Sequence, residues 1–248
     1  MNKYIHMITL MDRLHIVDNP QAQEALLHRL SKQRTSGSIG FVNAHAINLC
    51  YRDPSFYENL MRCDLLLRDG IGMKILCRLL GRRAGMNMNG TDLIPRILAL
   101  RGKGSLAIYG TQKHYLKQAA DTLRHTTELH VTSMLDGFHD IETYVADQQQ
   151  PADIILLAMG MPKQEQLAAR LSQTPSSSLI ICGGAIVDFM AGKVSRAPSW
   201  VRAIGMEWCY RLALEPRRLA KRYLAGNAIF LLRAAYVSLR YRLRGAHV

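Results

Sequence analysis

Short apolar runs, each closed by Gly or Asp and followed by a stretch of helical periodicity, organise most of this chain. The run at 153–159 is apolar throughout, which marks a strand buried on both faces of a parallel sheet. Further strands are expected at 38–43, 64–68, 105–109, 129–134 and 179–183. Helical periodicity predicts helices near 19–33 and at 54–61, 71–80, 91–101, 112–125, 140–149 and 163–173. This alternation implies an α/β, Rossmann-like fold, a mostly parallel sheet with helices on both faces. From about 196 the pattern becomes predominantly helical, which divides the chain into an α/β core, 1–195, and a helical appendage, 196–248.

The polar residues that interrupt the pattern cluster where strands end. Gly160-Met-Pro-Lys-Gln164-Glu follows the apolar run, with Pro162 suited to the first turn of a helix. Asp69-Gly-Ile-Gly72 places a carboxylate at another strand end, and Thr111 follows Gly110 at a third. Gly183-Gly184 and Asp188 close a fourth. In open α/β sheets ligands bind at the C-terminal ends of the strands, so Asp69, Thr111, Gln164, Gly183, Gly184 and Asp188 are expected to line one polar crevice.

Charge changes the picture of the tail. Residues 193–248 carry 12 Lys and Arg against 2 Asp and Glu, so most of the formal +13 lies there. Read as a helix, the tail stacks Arg222, Arg233, Arg240 and Arg244 on one face. Leu224, Ala228, Leu231, Leu232, Ala235, Leu239 and Leu243 fall on the other. Such a basic amphipathic helix suits an anionic membrane interface, and Arg233 breaks the run well short of the ~20 apolar residues of a spanning helix. The alternative is that the apolar face packs on the protein's own core or on a second subunit. Five scattered cysteines, none in CxxC spacing, read as reduced thiols. The first residues lack the apolar stretch of a signal peptide, so a cytosolic setting is expected.

Several segments together resemble the WecG/TagA/CpsF glycosyltransferases: Cys63–Gly72, Asn89-Gly-Thr-Asp92, Gly160–Glu165, Gly183-Gly184, Arg196–Trp200 and Gly205–Arg218. The resemblance implies an inverting transferase that moves a hexose from a UDP-sugar to a polyprenyl-diphosphate-linked sugar. Its place would be peripheral, on the cytoplasmic face of a bacterial inner membrane. Asp69 aligns with the family's general base. Its alternative role is to cap the following helix, and Asp92 and Asp188 are then the other carboxylates to consider. The chain contains no Asp-x-Asp, and the family it resembles is metal-independent, so no metal or other cofactor is expected. The leaving diphosphate would then fall to arginines, with Arg211 and Arg218 nearest and Lys221 or Arg222 as a third group.

Asn43, Asn89 and Asp92 match the family pattern and are expected to bind substrate, with His45 as a candidate beside them. Two positions depart from it: Phe41 stands for a threonine and Asn87 for an arginine. With these departures the chain resembles the subgroup from xanthan-like exopolysaccharide pathways, which implies glucose as the transferred sugar, with N-acetylmannosamine or its uronate as the alternative. A basic module binding nucleotides or nucleic acid is the non-enzymatic alternative. Low aromatic content and the lack of a nucleic-acid motif argue against nucleic acid.

Overall fold

The computed structural model describes residues 3–32, 35–173 and 176–245. The chain begins with α1 (Lys3–Arg13), a short edge strand β1 (Leu14–His15) and α2 (Pro20–Ser31), which Asn19 caps by accepting the Ala22 N–H. Next come β2 (Gly37–Val42), α3 (Ala44–Arg52), α4 (Pro54–Met61), β3 (Leu65–Arg68), α5 (Gly70–Leu79) and α6 (Gly90–Leu100). The second half alternates regularly through β4 (Gly104–Gly110), α7 (Lys113–Thr126), β5 (Leu129–Leu135), α8 (Ile141–Asp147), β6 (Ile154–Ala158), α9 (Lys163–Leu171), β7 (Leu179–Cys182) and α10 (Ile186–Met190). The appendage contains α11 (Ser199–Ala203), α12 (Glu207–Leu214), α13 (Pro216–Ala220), a π-helical turn at Lys221–Ala225 and α14 (Gly226–Gly245).

The strands form one seven-stranded, all-parallel sheet in the order β1-β3-β2-β7-β6-β4-β5. Side chains on successive strand positions serve opposite layers. Ile39, Phe41 and Leu67 join Ile97, Leu116 and Ile186 beneath α2, α6, α7 and α10. Val42 and Leu66 face the other way, toward α1, α3, α4, α5 and α14. Ala107, Tyr109, Ile155 and Leu157 pack under α8 and α9. The connections leaving β4 and β6 run in opposite directions, to β5 and to β7, which opens a crevice at the C-terminal ends of the central strands.

Four elements escaped the sequence pattern: α1, β1, α10 and α3. The last starts directly after β2 because the Asn43 side chain accepts the His45 and Ala46 N–H groups at 3.0 Å. The strand therefore turns into a helix with no linker.

The tail is helical as expected and its apolar face is exposed, but its arginines turn toward the body. Phe230, Ala234, Val237 and Ser238 are buried, and Ser238 Oγ donates to the Leu79 carbonyl at 2.7 Å. Arg233 also turns inward, donating to Asn48 Oδ1 at 2.7 Å and stacking 4.4 Å from the Tyr51 ring centre. Arg240 sits over the Tyr4 ring. The Arg244 side chain lies outside those described, as do residues 246–248. The apolar residues read as one face are the exposed ones: Leu224, Ala228, Leu231, Leu232, Ala235, Leu239 and Leu243. The alternative in which they pack on the protein's own core is thereby excluded. The arginines face the body because a guanidinium stacks on tyrosine and bonds to backbone at once.

Candidate active site

Asp69 ends β3, and the chain leaves it through Gly70 at φ +85°, a conformation that favours glycine. This turn is pinned by neighbouring groups. The buried Arg68 guanidinium donates to the carbonyls of Ala84 (2.7 Å), Gly70 (2.9 Å) and Gly85 (3.1 Å). Asn87 Oδ1 accepts the Gly70 N–H at 2.7 Å. Asp69 occupies the N-cap position of α5 but makes no capping hydrogen bond, so the alternative role as a helix cap is not what the structure shows. Its Oδ2 instead accepts from Asn43 Nδ2 at 3.3 Å. Burial raises the Asp69 carboxyl above its ordinary range, opposed by the Asn43 hydrogen bond and by Arg222, Arg68 and Arg211. A carboxyl whose basicity is raised, with cations beside it, suits proton abstraction.

Asp69 stands in a wall shared by two cavities, together with Asn43, Thr91, Arg211 and Arg222. The first, about 320 Å³, runs over the ends of β4, β6 and β7. Thr111, Gln164, Gly183, Gly184, Asp188 and Arg218 all line it, so the four sheet-end loops do converge. Thr111 Oγ1 donates to Asp188, which also receives Lys193 Nζ at 3.2 Å. Gln164 is buried, and its amide bonds internally to Glu165 and Gly184.

The second cavity, about 360 Å³, extends from Asp69 past Ile71, Ile75 and Trp208 to Phe230 and the exposed Leu231. His45 and Asn89 line this one. Burial, followed by Arg222 and Arg52, lowers His45 to about 4, so its imidazole is neutral at neutral pH.

The appendage completes both cavities. Arg211 and Arg222 each have a buried Nε–H without a hydrogen-bond partner among the described residues. Burial lowers Arg222, with Arg211 and Arg218 adding repulsion against the pull of Tyr223 and Asp69. Crowded guanidinium groups with unclaimed donors call for an anion. Arg218 is paired to Glu215 in two-pronged fashion at 2.6 and 2.7 Å. Lys221 is exposed and lines neither cavity. Asp92 also lies off both linings; it pairs with Arg196 and, at 3.4 Å, with Arg202, tying the appendage to the first turn of α6. Among the described residues no three His, Cys, Asp or Glu side chains converge as a metal site.

The profile of the Glycosyl transferase WecG/TagA/CpsF family matches residues 9–245. The chain belongs to this glycosyltransferase family. It is 28% identical over 191 residues, 75% of either chain, to a Bacillus subtilis (strain 168) N-acetylglucosaminyldiphosphoundecaprenol N-acetyl-beta-D-mannosaminyltransferase. The protein of the same name from Bacillus spizizenii is 27% identical over 67% of each chain. Both names carry mannosaminyl transfer, so the preference for glucose drawn from Phe41 and Asn87 finds no support in these family relatives.

Two groups of the first cavity, Phe138 and Lys193, escaped the sequence reading, as did Arg68 behind the Asp69 turn. Phe138 is 75% exposed yet lines the cavity, carried by a loop that Lys163 Nζ ties down through the Gly137 carbonyl at 2.9 Å. Its signal was available: Asp136-Gly137 closes a strand just as Asp69-Gly70 does. Lys193 and Arg68 had no comparable signal. Their roles depend on contacts to Asp188 and to carbonyls of residues 70–85 that no local pattern encodes.

Proposed function

We propose that this family member moves an N-acetylmannosamine-type hexose from a UDP-sugar to a polyprenyl-diphosphate-linked sugar, inverting the anomeric carbon. The observation that carries the reading is Asp69 in the wall between two cavities, with Arg211 and Arg222 beside it. The UDP-sugar occupies the first cavity, with Phe138 offering a face for the base and the arginines facing the diphosphate. The acceptor enters through the second, which is largely apolar and opens at Leu231. The acceptor hydroxyl oxygen bonds to the anomeric carbon as the bond to the UDP oxygen breaks. Asp69 takes the hydroxyl proton, and the departing diphosphate charge is met by the unclaimed Nε–H groups of Arg211 and Arg222, with no metal required.

Glucose remains the second reading, on two observations. Asn87, where the resemblance expects an arginine, spends its side-chain oxygen on the Gly70 N–H. Phe41 likewise puts a ring where a hydroxyl is expected, on the lining of the first cavity.

No helix among the described residues is long and apolar enough to cross a membrane. The exposed leucines of α14 would instead rest the enzyme on the cytoplasmic face of the bilayer, where its lipid-linked acceptor lies. A contact between two copies of the chain is the other use of that face. Arg233 and Arg240 turn inward and so add nothing to an exposed basic stripe on α14, which supports this reading over nucleic-acid binding.

Incubation with radiolabelled UDP-N-acetylmannosamine or UDP-glucose and synthetic sugar-diphosphate-lipid acceptors tests the reading. Label from the former is expected in lipid, insensitive to EDTA. Label from UDP-glucose alone would transfer the assignment to the glucose reading, and label from neither would remove both.

A further inference from the structure

Glu165 is the most deeply buried carboxyl among the described residues, at 0% exposure, and the chemistry above does not use it. It sits in the first turn of α9 with one oxygen, Oε2, lacking any partner among the described residues. Its Oε1 accepts from Gln164 Nε2 at 2.8 Å. Gln164, itself 1% exposed, uses its other amide atom, Oε1, to accept the Gly184 N–H at 2.9 Å. Three groups thus form one relay from a sealed carboxyl to the Gly183-Gly184 turn.

That turn lines the first cavity and leaves little freedom in how it is built. Gly183 donates its N–H to the Leu157 carbonyl at 2.7 Å, and a Cβ there would meet Ile186 Cγ2 at 2.5 Å. Gly184 follows at φ +61°. The Gly184 N–H is satisfied only when Gln164 presents its oxygen; a rotated amide would set two donors against each other. An acceptor at Glu165 fixes the amide the right way round. A buried carboxyl is costly to keep where an apolar side chain would fill the space, so its retention calls for a use.

We propose that Glu165 is a positioning residue for the nucleotide-sugar pocket, acting through Gln164 to set the Gly183-Gly184 turn. The role rests on reading the first cavity as the donor site. Its loss weakens donor binding more than turnover, because the turn lines that cavity away from Asp69.

The test combines calorimetry with UDP as probe and steady-state transfer kinetics. Glu165→Met, which fills the space without an acceptor, should raise the donor KM by about 10-fold and leave kcat within about 3-fold, the scale of one buried hydrogen bond. Glu165→Gln keeps an acceptor and should restore the donor KM. Gln164→Met breaks the same relay, so Gln164→Met combined with Glu165→Met should cost no more than either alone. Additive losses, an unchanged donor KM in folded Glu165→Met, or equal damage from Glu165→Gln would each overturn the role. If Glu165→Met does not fold, Gln164→Met carries the test, and an unchanged donor KM there overturns it. Wild-type protein that fails to bind UDP at all would overturn the donor-site reading and this role together.

Discussion

The sheet-end loops and the C-terminal appendage build one site by opposite means. In the loops nearly every polar group is spoken for: Asn43 caps α3 and reaches Asp69, Asn87 holds Gly70, and Gln164 holds Gly184. The appendage instead delivers Arg211 and Arg222 with buried N–H groups unclaimed, and it leaves the leucines of α14 in the open. A satisfied region is a frame, fixed before substrate arrives. An unsatisfied one is complete only with an anion against its arginines and an apolar surface against its leucines. On the proposed function, geometry then falls to the loops, and charge compensation and docking to the appendage.

The largest effect should come from the frame's single reactive group. Asp69→Asn keeps the hydrogen bond from Asn43 but cannot take a proton, so transfer should fall by at least ~10²-fold while UDP affinity holds. Turnover near the wild-type level would move the base to Asp188, since Asp92 is engaged by Arg196 and lies off both cavities.

Next in size are the unclaimed cations. Arg222→Met or Arg211→Met should each lower kcat by about 10- to 100-fold, the worth of a charge-assisted hydrogen bond to the leaving diphosphate. Vesicle binding should persist, because neither side chain belongs to the exposed leucine face. Losses confined to vesicle binding would reduce the appendage to an anchor. Cutting the appendage away is a poorer tool, since Phe230, Ala234 and Val237 would leave Ala46 and Met73 uncovered.

The two regions also differ in how far the sequence exposed them. Strand ends are legible because a parallel strand is an unbroken apolar run and its exit needs Gly or Asp, so β3, β4, β6 and β7 with their loops could be placed in advance. The short β1 and the linker-free α3 were not, because two residues carry no period and Asn43 hides a helix start behind a strand end. The helical period of the tail was visible, but which face meets the body was not. Small and aromatic positions at 230, 234 and 237 form the buried seam, and arginines can be protein-facing when tyrosines and carbonyls receive them. Asp92 shows the same limit, since its partners Arg196 and Arg202 lie over a hundred residues away.

A smaller effect should separate docking from catalysis. Leu232→Ser with Leu239→Ser removes two exposed side chains that touch no core, so the fold should hold. Sedimentation with anionic vesicles should weaken by about 10-fold or more, given roughly 1.5–3 kcal/mol for a fully buried leucine, while activity on a water-soluble acceptor stays within about 2-fold. Unchanged vesicle binding together with a change in oligomeric state would assign the leucine face to a second copy of the chain.

The finest probe compares stability rather than rate and returns to the frame. Burial pushes the Glu165 carboxyl up to about 7 from an ordinary 4.5, with the Gln164 hydrogen bond opposing. Between those values the unfolded chain has released the proton and the folded protein has kept it, so folding stability falls as pH rises and levels off above about 7. The full difference is on the order of 3 kcal/mol. Glu165→Gln carries no such proton, so its stability relative to wild type should improve from pH 5 to pH 8, by several degrees in Tm at this chain length. His45, held at about 4, runs the other way but is common to both proteins and cancels in the comparison. Cys50 and Cys182, the thiols that feel the Glu165 charge, are pushed far above this range and stay protonated throughout. A Tm difference that does not change between pH 5 and pH 8 would mean that Glu165 is already ionised in the folded protein. The frame would then be holding a buried charge instead of a neutral acid, and the relay to Gly184 would rest on a carboxylate acceptor.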